Sequence, residues 1–248
     1  MNRRHEPDAR LAHDLATAAG QLLLQVRGGW ADDDLDALRR HGDQASQAYL
    51  AEQLHRQAPD DAVLSEEAED DARRLAADRV WIVDPLDGTR EFAEGRQDWA
   101  VHVALWQQGT LRAGAVALPA IGQTFVSHPA PVLPAACSSP PRMVVSRSRP
   151  PHQADRVQQA LDAPLIAMGS AGAKTMAVLR GLAEIYVHAG GQYEWDSAAP
   201  AVVAAAAGLH VSRLDGSPIV YNQPDPWSPE LLVCRAELAQ PVLDALNG

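Results

Sequence analysis

The chain has 248 residues, a formal charge of −11 and a hydrophobic share of 46%, which suits one layered enzyme core or two closely packed subdomains. The acidic balance argues against a polymeric nucleic-acid partner, whose phosphates would be repelled, but not against a small anion once a divalent cation reverses the local sign. With no apolar run near the ~20 residues that span a bilayer and no secretory core after the charged segment 1–10, the expectation is cytoplasmic residence without membrane contact.

Pro7-Asp8 ahead of Leu11, Leu15, Leu22 and Val26 predicts a long amphipathic helix capped by Asp8. Asp32-Asp33-Asp34 with Asp36 reads as a solvated charge run in a loop or frayed helix. Asp43 is expected to open a helix over 44–57. Ala62-Val63-Leu64 is a short apolar stretch that leads into the acidic pair Glu66-Glu67. Val80-Trp81-Ile82-Val83 reads as a strand, which places Asp84-Pro85-Leu86-Asp87-Gly88-Thr89 at its C-terminal end. Further strands are predicted over 100–106, 113–118 and 122–127.

The composition then turns to Pro, Ala and Ser over 129–141, and a linker is expected at 131–141 between an N-terminal α+β subdomain, 1–130, and a C-terminal α/β subdomain, 142–248. The second half alternates strand and helix: 143–146, 153–161, 165–168, 174–183 and 185–188, then an alanine-rich buried helix opened by Trp195-Asp196. Cys137 and Cys234 are too far apart for a Cys-x-x-Cys motif and read as buried or incidental thiols.

Asp84 and Asp87, with a stiffening proline between them and Gly-Thr after them, can hold a pair of hard cations. The same residues can also make an ordinary turn. Two carboxylates 4 Å apart repel by roughly 4 kcal/mol at an effective dielectric of 20, so Glu66, Asp84, Asp87 and Asp196 would need cations or protons if they converge. Four carboxylates from three segments offer more oxygens than shared protons require, and Mg²⁺ prefers such donors. Phosphate-monoester hydrolysis needs positive charge of this kind, because charge spreads over the phosphoryl and leaving oxygens. No Gly-x-Ser-x-Gly or His-Glu-x-x-His is present. His102 reads as a packed or hydrogen-bonded strand residue, and Trp81, Trp106 and Trp195 as core.

Together, Glu66-Glu67, Asp84-Pro85-Leu86-Asp87-Gly88-Thr89 and Trp195-Asp196-Ser197-Ala198 resemble the inositol monophosphatase superfamily of metal-dependent phosphatases, from about Leu11 to the strand near Leu231. Within it the chain is most similar to the CysQ-like branch, the 3'-phosphoadenosine 5'-phosphate phosphatases. The residues carrying that likeness are Asp87 through Phe92, Val145-Ser146-Arg147-Ser148, Gly169-Ser170 with Lys174, and Glu194 through Ala199. The sequence departs from those relatives at Leu38-Arg39-Arg40-His41-Gly42-Asp43, where they carry a Lys and Asp-x-Ser-Pro-Val-Thr, and by one extra residue before Lys174.

The resemblance implies a mixed α+β / α/β fold, a layered αβαβα sandwich. It also implies hydrolysis of the nucleotide's 3'-phosphate to AMP and phosphate by in-line attack of an activated water, a step in sulfur assimilation. Two or three Mg²⁺ ions, with Mn²⁺ as a substitute, would be cofactors. Glu66, Asp84 and the Leu86 carbonyl would hold one ion and Asp84, Asp87 and Asp196 a second, with Asp43 helping to place a third. Glu66 and Thr89 would orient the water. Asp87, Gly88, Thr89 and Asp196 would contact the phosphate, and Ser146, Arg147, Ser170 and Lys174 the rest of the nucleotide. Glu67 reads as a supporting partner, and His188 and Tyr193 stand open between pocket lining and core. Inositol 1-phosphate and fructose 1,6-bisphosphate are the alternative substrates, a homodimer is common in the family, and an inactive sensor is disfavoured because Glu66, Asp84 and Thr89 are all present.

Overall fold

A computed structural model describes residues 5–135 and 137–248; residues 1–4 of the charged N-terminus and residue 136 of the expected linker lie outside the described residues. Two helices open the chain, α1 (His5–Gly29) and α2 (Leu35–Gln57). Asp8 is not the cap of α1. It lies in the first turn, and its carboxylate accepts from Arg79 Nη2 at 2.9 Å. Helix α2 begins well before residue 44, because Asp34 Oδ1 accepts from the Ala37 N–H at 2.9 Å and caps it. One member of the acidic run is therefore a helix cap, and Asp43 sits in mid-helix rather than at the start.

The first sheet has the order β1-β2-β3-β4-β5: β1 (Ala62–Ser65), β2 (Arg79–Asp87), β3 (Ala100–Gln107), β4 (Thr110–Leu118) and β5 (Gln123–Val126). Strand β1 runs parallel to β2 and the other pairs are antiparallel. Strand β2 does not stop at Val83. It continues to Asp87 through a bulge in which Asp84 faces His102 and Asp87 faces Ala100. Pro85 is tolerated there because a bulge interrupts the ladder and needs no N–H from it. The short helix α3 (Thr89–Ala93) follows directly.

The second sheet is built from β6 (Met143–Ser146), β7 (Leu165–Met168), β8 (Ile185–Ala189), β9 (His210–Ser212) and β10 (Glu230–Cys234), in the order β7-β6-β8-β10-β9. Strands β7, β6 and β8 are parallel, and β10 is antiparallel to both its neighbours.

Alternation along β2 and β3 sends side chains to opposite faces. Trp81, Val83, Val101 and Val103 pack beneath Leu15 and Leu23 of α1 and Leu50 and Leu54 of α2. Val80, Ile82 and Ala104 face inward and share one cluster with Met176 of α5 (Ala171–Leu179), Ala198 and Ala199 of α6 (Glu194–Ala206), and Tyr186 and Leu231 of the second sheet. Helices α4 (Gln153–Leu161) and α7 (Ala239–Asn247) close the far side through Val157 and Val242. The layers therefore run helix, sheet, helix, sheet, helix. None of the described helices is long and apolar enough to cross a membrane.

Gly114 marks a close approach of the inner layer to the first sheet: a Cβ there would lie 2.4 Å from Val202 Cγ1 and 3.4 Å from the Ala199 Cα. Gly114→Ala is expected to destabilise the protein by about 1–3 kcal/mol through overpacking, read as a lower urea midpoint at unchanged slope.

Candidate metal centre and active site

The acidic residues meet at one end of the first sheet. Glu66 leaves β1 with its N–H donating to the Val83 carbonyl at 3.4 Å, which carries the acidic pair alongside the end of β2. Asp84 turns its side chain back on its own bulge, where Oδ1 accepts the Leu86 N–H at 3.0 Å. The Thr89 hydroxyl donates to the Leu86 carbonyl at 3.2 Å. Ser46 of α2 donates to the Pro85 carbonyl at 2.7 Å, and Gly42 lets that helix close on Leu86 and Phe92, since a Cβ there would lie 2.9 Å from Phe92 Cε1. These contacts bring Asp43, one residue on, toward Thr89 and Glu67.

Asp196 arrives from the other half of the chain. It occupies the third position of α6, and Oδ2 accepts the Tyr193 N–H at 2.8 Å, the reciprocal half of a capping box. Asp87 is held differently. Its Oδ2 accepts from the Ser170 hydroxyl, from the Gly172 N–H at 2.7 Å, and lies 3.2 Å from His102 Nε2.

The electrostatics follow from crowding. Burial, then the charges of Asp87, Glu67 and Asp43, push Glu66 up to about 7, although a hydrogen bond with Asp84 opposes this. Burial and Asp87 push Asp196 to about 7 against the Tyr193 N–H. Burial and Glu67 do the same to Asp43, also to about 7, with Thr89 opposing. Asp84 is fully enclosed; burial and the charges of Glu66, Asp87 and Asp196 raise it well above the usual carboxylate range. Burial would raise Asp87 too, but His102, Lys174 and Ser170 outweigh it and hold it at about 2.

Such a set is short of positive charge, and it consists of the hard oxygen donors that a divalent cation prefers. Among the described residues, Asp84, Asp87 and His102 also offer ligand atoms within 4.8 Å of one another. The residues present fit a hard metal ion.

Beside the carboxylates lies a cleft of about 230 Å³ whose lining includes Asp87, Thr89, Ser146, Ser170, Lys174 and Asp196. Ser170 caps α5, accepting the Ala173 N–H at 2.9 Å. Helix α5 starts at Ala171 rather than at Lys174, so Lys174 sits one turn in. Its ammonium is buried, donates to the Gly169 and Ser170 carbonyls at 2.9 and 2.7 Å, and lies 5.2 Å from the Tyr186 ring centre. Burial draws it down to about 8 despite Asp87 and Glu91.

Arg147 is the residue the structure places elsewhere. Its Nη2 lies 2.8 Å from Glu91 Oε1 and 2.8 Å from Glu94 Oε2, and it is absent from the cleft lining. Arg149 lines the cleft instead, two positions on. His188 and Gln192 line it as well, whereas Tyr193 stacks on Trp195 with ring centres 4.9 Å apart. His102 faces Asp84 only because of the β2–β3 register, which a lone histidine in an apolar run does not reveal.

Known proteins share both this sequence and this architecture. The 3'-phosphoadenosine 5'-phosphate phosphatase of Mycobacterium leprae (strain TN) is 51% identical over 253 residues, covering 97% of this chain and 93% of that protein. CysQ from Bacteroides thetaiotaomicron, described as a bacterial member of the inositol monophosphatase family, superposes with a TM-score of 0.78 at 25% identity, over 92% of this chain and 97% of that one. Inositol monophosphatase II from Staphylococcus aureus MSSA476 shares the fold at a TM-score of 0.81 and 22% identity, over 96% and 94% of the two chains. Residues 5–243 match the profile of the Inositol monophosphatase family, and with the acidic segments of three distant regions gathered at one sheet end, the chain belongs to that family.

Proposed function

We propose that this protein is a Mg²⁺-dependent phosphatase that removes the 3'-phosphate of 3'-phosphoadenosine 5'-phosphate, giving AMP and phosphate. The observation that carries the reading is the convergence of Glu66, Asp84, Asp87 and Asp196 beside a cleft walled by Lys174 and Arg149, in a chain 51% identical to a relative named for that reaction. Glu66, Asp84, the Leu86 carbonyl, Asp87 and Asp196 would hold the ions, with Asp43 at the margin. Cations bound there would activate water and neutralise charge on the phosphoryl and leaving oxygens.

The chain's own groups do the rest. Glu66, hydrogen-bonded to Asp84, is assigned to orienting the attacking water. The Thr89 hydroxyl, placed between the Leu86 carbonyl at 3.2 Å and the Asp43 carboxyl, is assigned to orienting that water. Asp196 and the N–H groups at Gly88 and Thr89 are assigned to the scissile phosphate. Ser146, Ser170 and Arg149 are assigned to the second phosphate and the sugar, where a guanidinium donates to two anionic oxygens at once. Arg147 is assigned to holding Glu91 and Glu94.

The test is a comparison of kcat/KM with Mg²⁺ on the bisphosphate nucleotide, inositol 1-phosphate and fructose 1,6-bisphosphate. A preference of about 100-fold or more for the nucleotide is expected, because a site that pairs buried polar groups with one substrate leaves them unpaired with another. A preference for either sugar phosphate would overturn the assignment.

A further inference from the structure

His102 is completely enclosed, on the inward face of β3 between Ala100 and Ala104. Its two ring nitrogens point at two different parts of the metal centre. Nδ1 lies 3.1 Å from the carbonyl oxygen of Trp195, the residue before Asp196. Nε2 lies 3.2 Å from Asp87 Oδ2, somewhat off the line of an ideal hydrogen bond. Nδ1 donates to the Trp195 carbonyl, whereas Nε2 meets the Asp87 carboxylate by close approach rather than by a formed hydrogen bond. Asp87 comes from the first sheet and Asp196 from the inner helix layer, and this one side chain touches the supports of both.

The surroundings are shaped to admit it. A Cβ on Gly172 would fall 2.1 Å from His102 Nε2 and 3.1 Å from the Ala100 Cβ. The same glycine gives its N–H to Asp87 Oδ2 at 2.7 Å, so backbone, ring and carboxylate are packed together. Gly172 and Asp87 crowd Nε2 and the Trp195 carbonyl occupies Nδ1, which suits the ring to hold a ligand rather than to be one.

We propose that His102 is a positioning residue of the metal centre, fixing Asp87 through one ring nitrogen and the Trp195–Asp196 peptide through the other. A side chain that orients a metal-ligating carboxylate typically contributes 10- to 100-fold to metal affinity. The inference rests on the metal-centre reading above, and its test separates the two.

Mn²⁺ binding, followed as loss of the free-ion EPR signal, is measured for the wild type, His102→Ala, His102→Gln and Gly172→Ala, with melting temperatures recorded alongside. Mn²⁺ is expected to bind His102→Ala about 10- to 100-fold more weakly, with kcat falling and half-maximal Mg²⁺ activation moving up by a similar factor. His102→Gln, which keeps one donor amide, should recover part of the loss. Gly172→Ala, which displaces the ring without removing it, should weaken binding in the same direction and carries the test if His102→Ala does not fold.

Wild-type Mn²⁺ affinity in folded His102→Ala, or in Gly172→Ala, would reduce His102 to a packing residue and overturn the proposal. So would a directly bound imidazole nitrogen in the pulsed EPR spectrum of the Mn²⁺ protein. If the wild type itself binds no Mn²⁺, the metal-centre reading fails first, a result that differs from any of these.

Discussion

Asp84→Asn is expected to lower kcat by about three orders of magnitude while raising the melting temperature of the metal-free protein. The first effect follows from charge: a carboxylate that bridges cations supports several kcal/mol of transition-state stabilisation, and each 1.36 kcal/mol is tenfold in rate. The second follows from burial. Asp84 is enclosed beside Glu66, Asp87 and Asp196, and its charged form is disfavoured by all of them. An amide is neutral without having to bind a proton on folding, and its oxygen can still accept the Leu86 N–H that Oδ1 accepts at 3.0 Å. If the Asp-Pro-x-Asp segment were only a turn, the substitution would leave catalysis nearly intact. Steady-state kinetics with saturating Mg²⁺ and thermal melts in EDTA read both effects, and an active variant would defeat the bridging role.

Metal-free protein should lose stability as pH rises from about 5 to about 7.5, and Mg²⁺ should stabilise it more at the upper end. Glu66, Asp43 and Asp196 move from ordinary values of 4.5, 3.8 and 3.8 to about 7 in the fold, and Asp84 moves well above 3.8. Across that window the unfolded chain has released these protons while the folded chain still holds them. The stabilisation they give is complete below the unfolded values and fades as pH climbs through the folded ones.

Asp87, held at about 2, titrates below the window. Burial lowers His188 from 6.5 to about 4 and lowers His210 as well, so both oppose the trend, whereas Glu194 and His102, raised in the fold, join it. One ion at a hundred times its dissociation constant adds about 2.7 kcal/mol, or roughly 5–10 °C for a chain of this size. Melts at both pH values, with EDTA and with Mg²⁺, check the sign. A Mg²⁺ shift that is larger at the acidic end would contradict the picture of a carboxylate cluster awaiting cations.

Much of this centre was legible because its parts are local. Asp84 through Thr89 carry their own turn chemistry, and the apolar run before them announces a strand end. The family likeness then linked that segment to Glu66 and Asp196 across long stretches of chain. What stayed hidden depends on register and on packing between halves. His102 faces Asp84 through the antiparallel pairing of β2 with β3, a geometry no spacing reveals. Arg147 and Arg149 are two residues apart, and which of them lines the cleft is decided by Glu91 and Glu94, brought up from another segment. The early start of α2 was masked because residues 35–43 are charged on most sides, so the Asp34 cap read as one more solvated acid.

Helices α5 and α6 lie between the two sheets and belong to a cluster that draws on both. They are encoded after the irregular stretch that joins the sheets, yet they form the inner wall of the sheet encoded before it. A ribosome that has delivered only the first sheet has therefore made a surface still waiting for its cover, and that surface stays wet until the second half emerges. Division of the gene between the sheets would yield two products that each lack a neighbour, so the catalytic centre and the solubility of either piece depend on inheritance as a single unit.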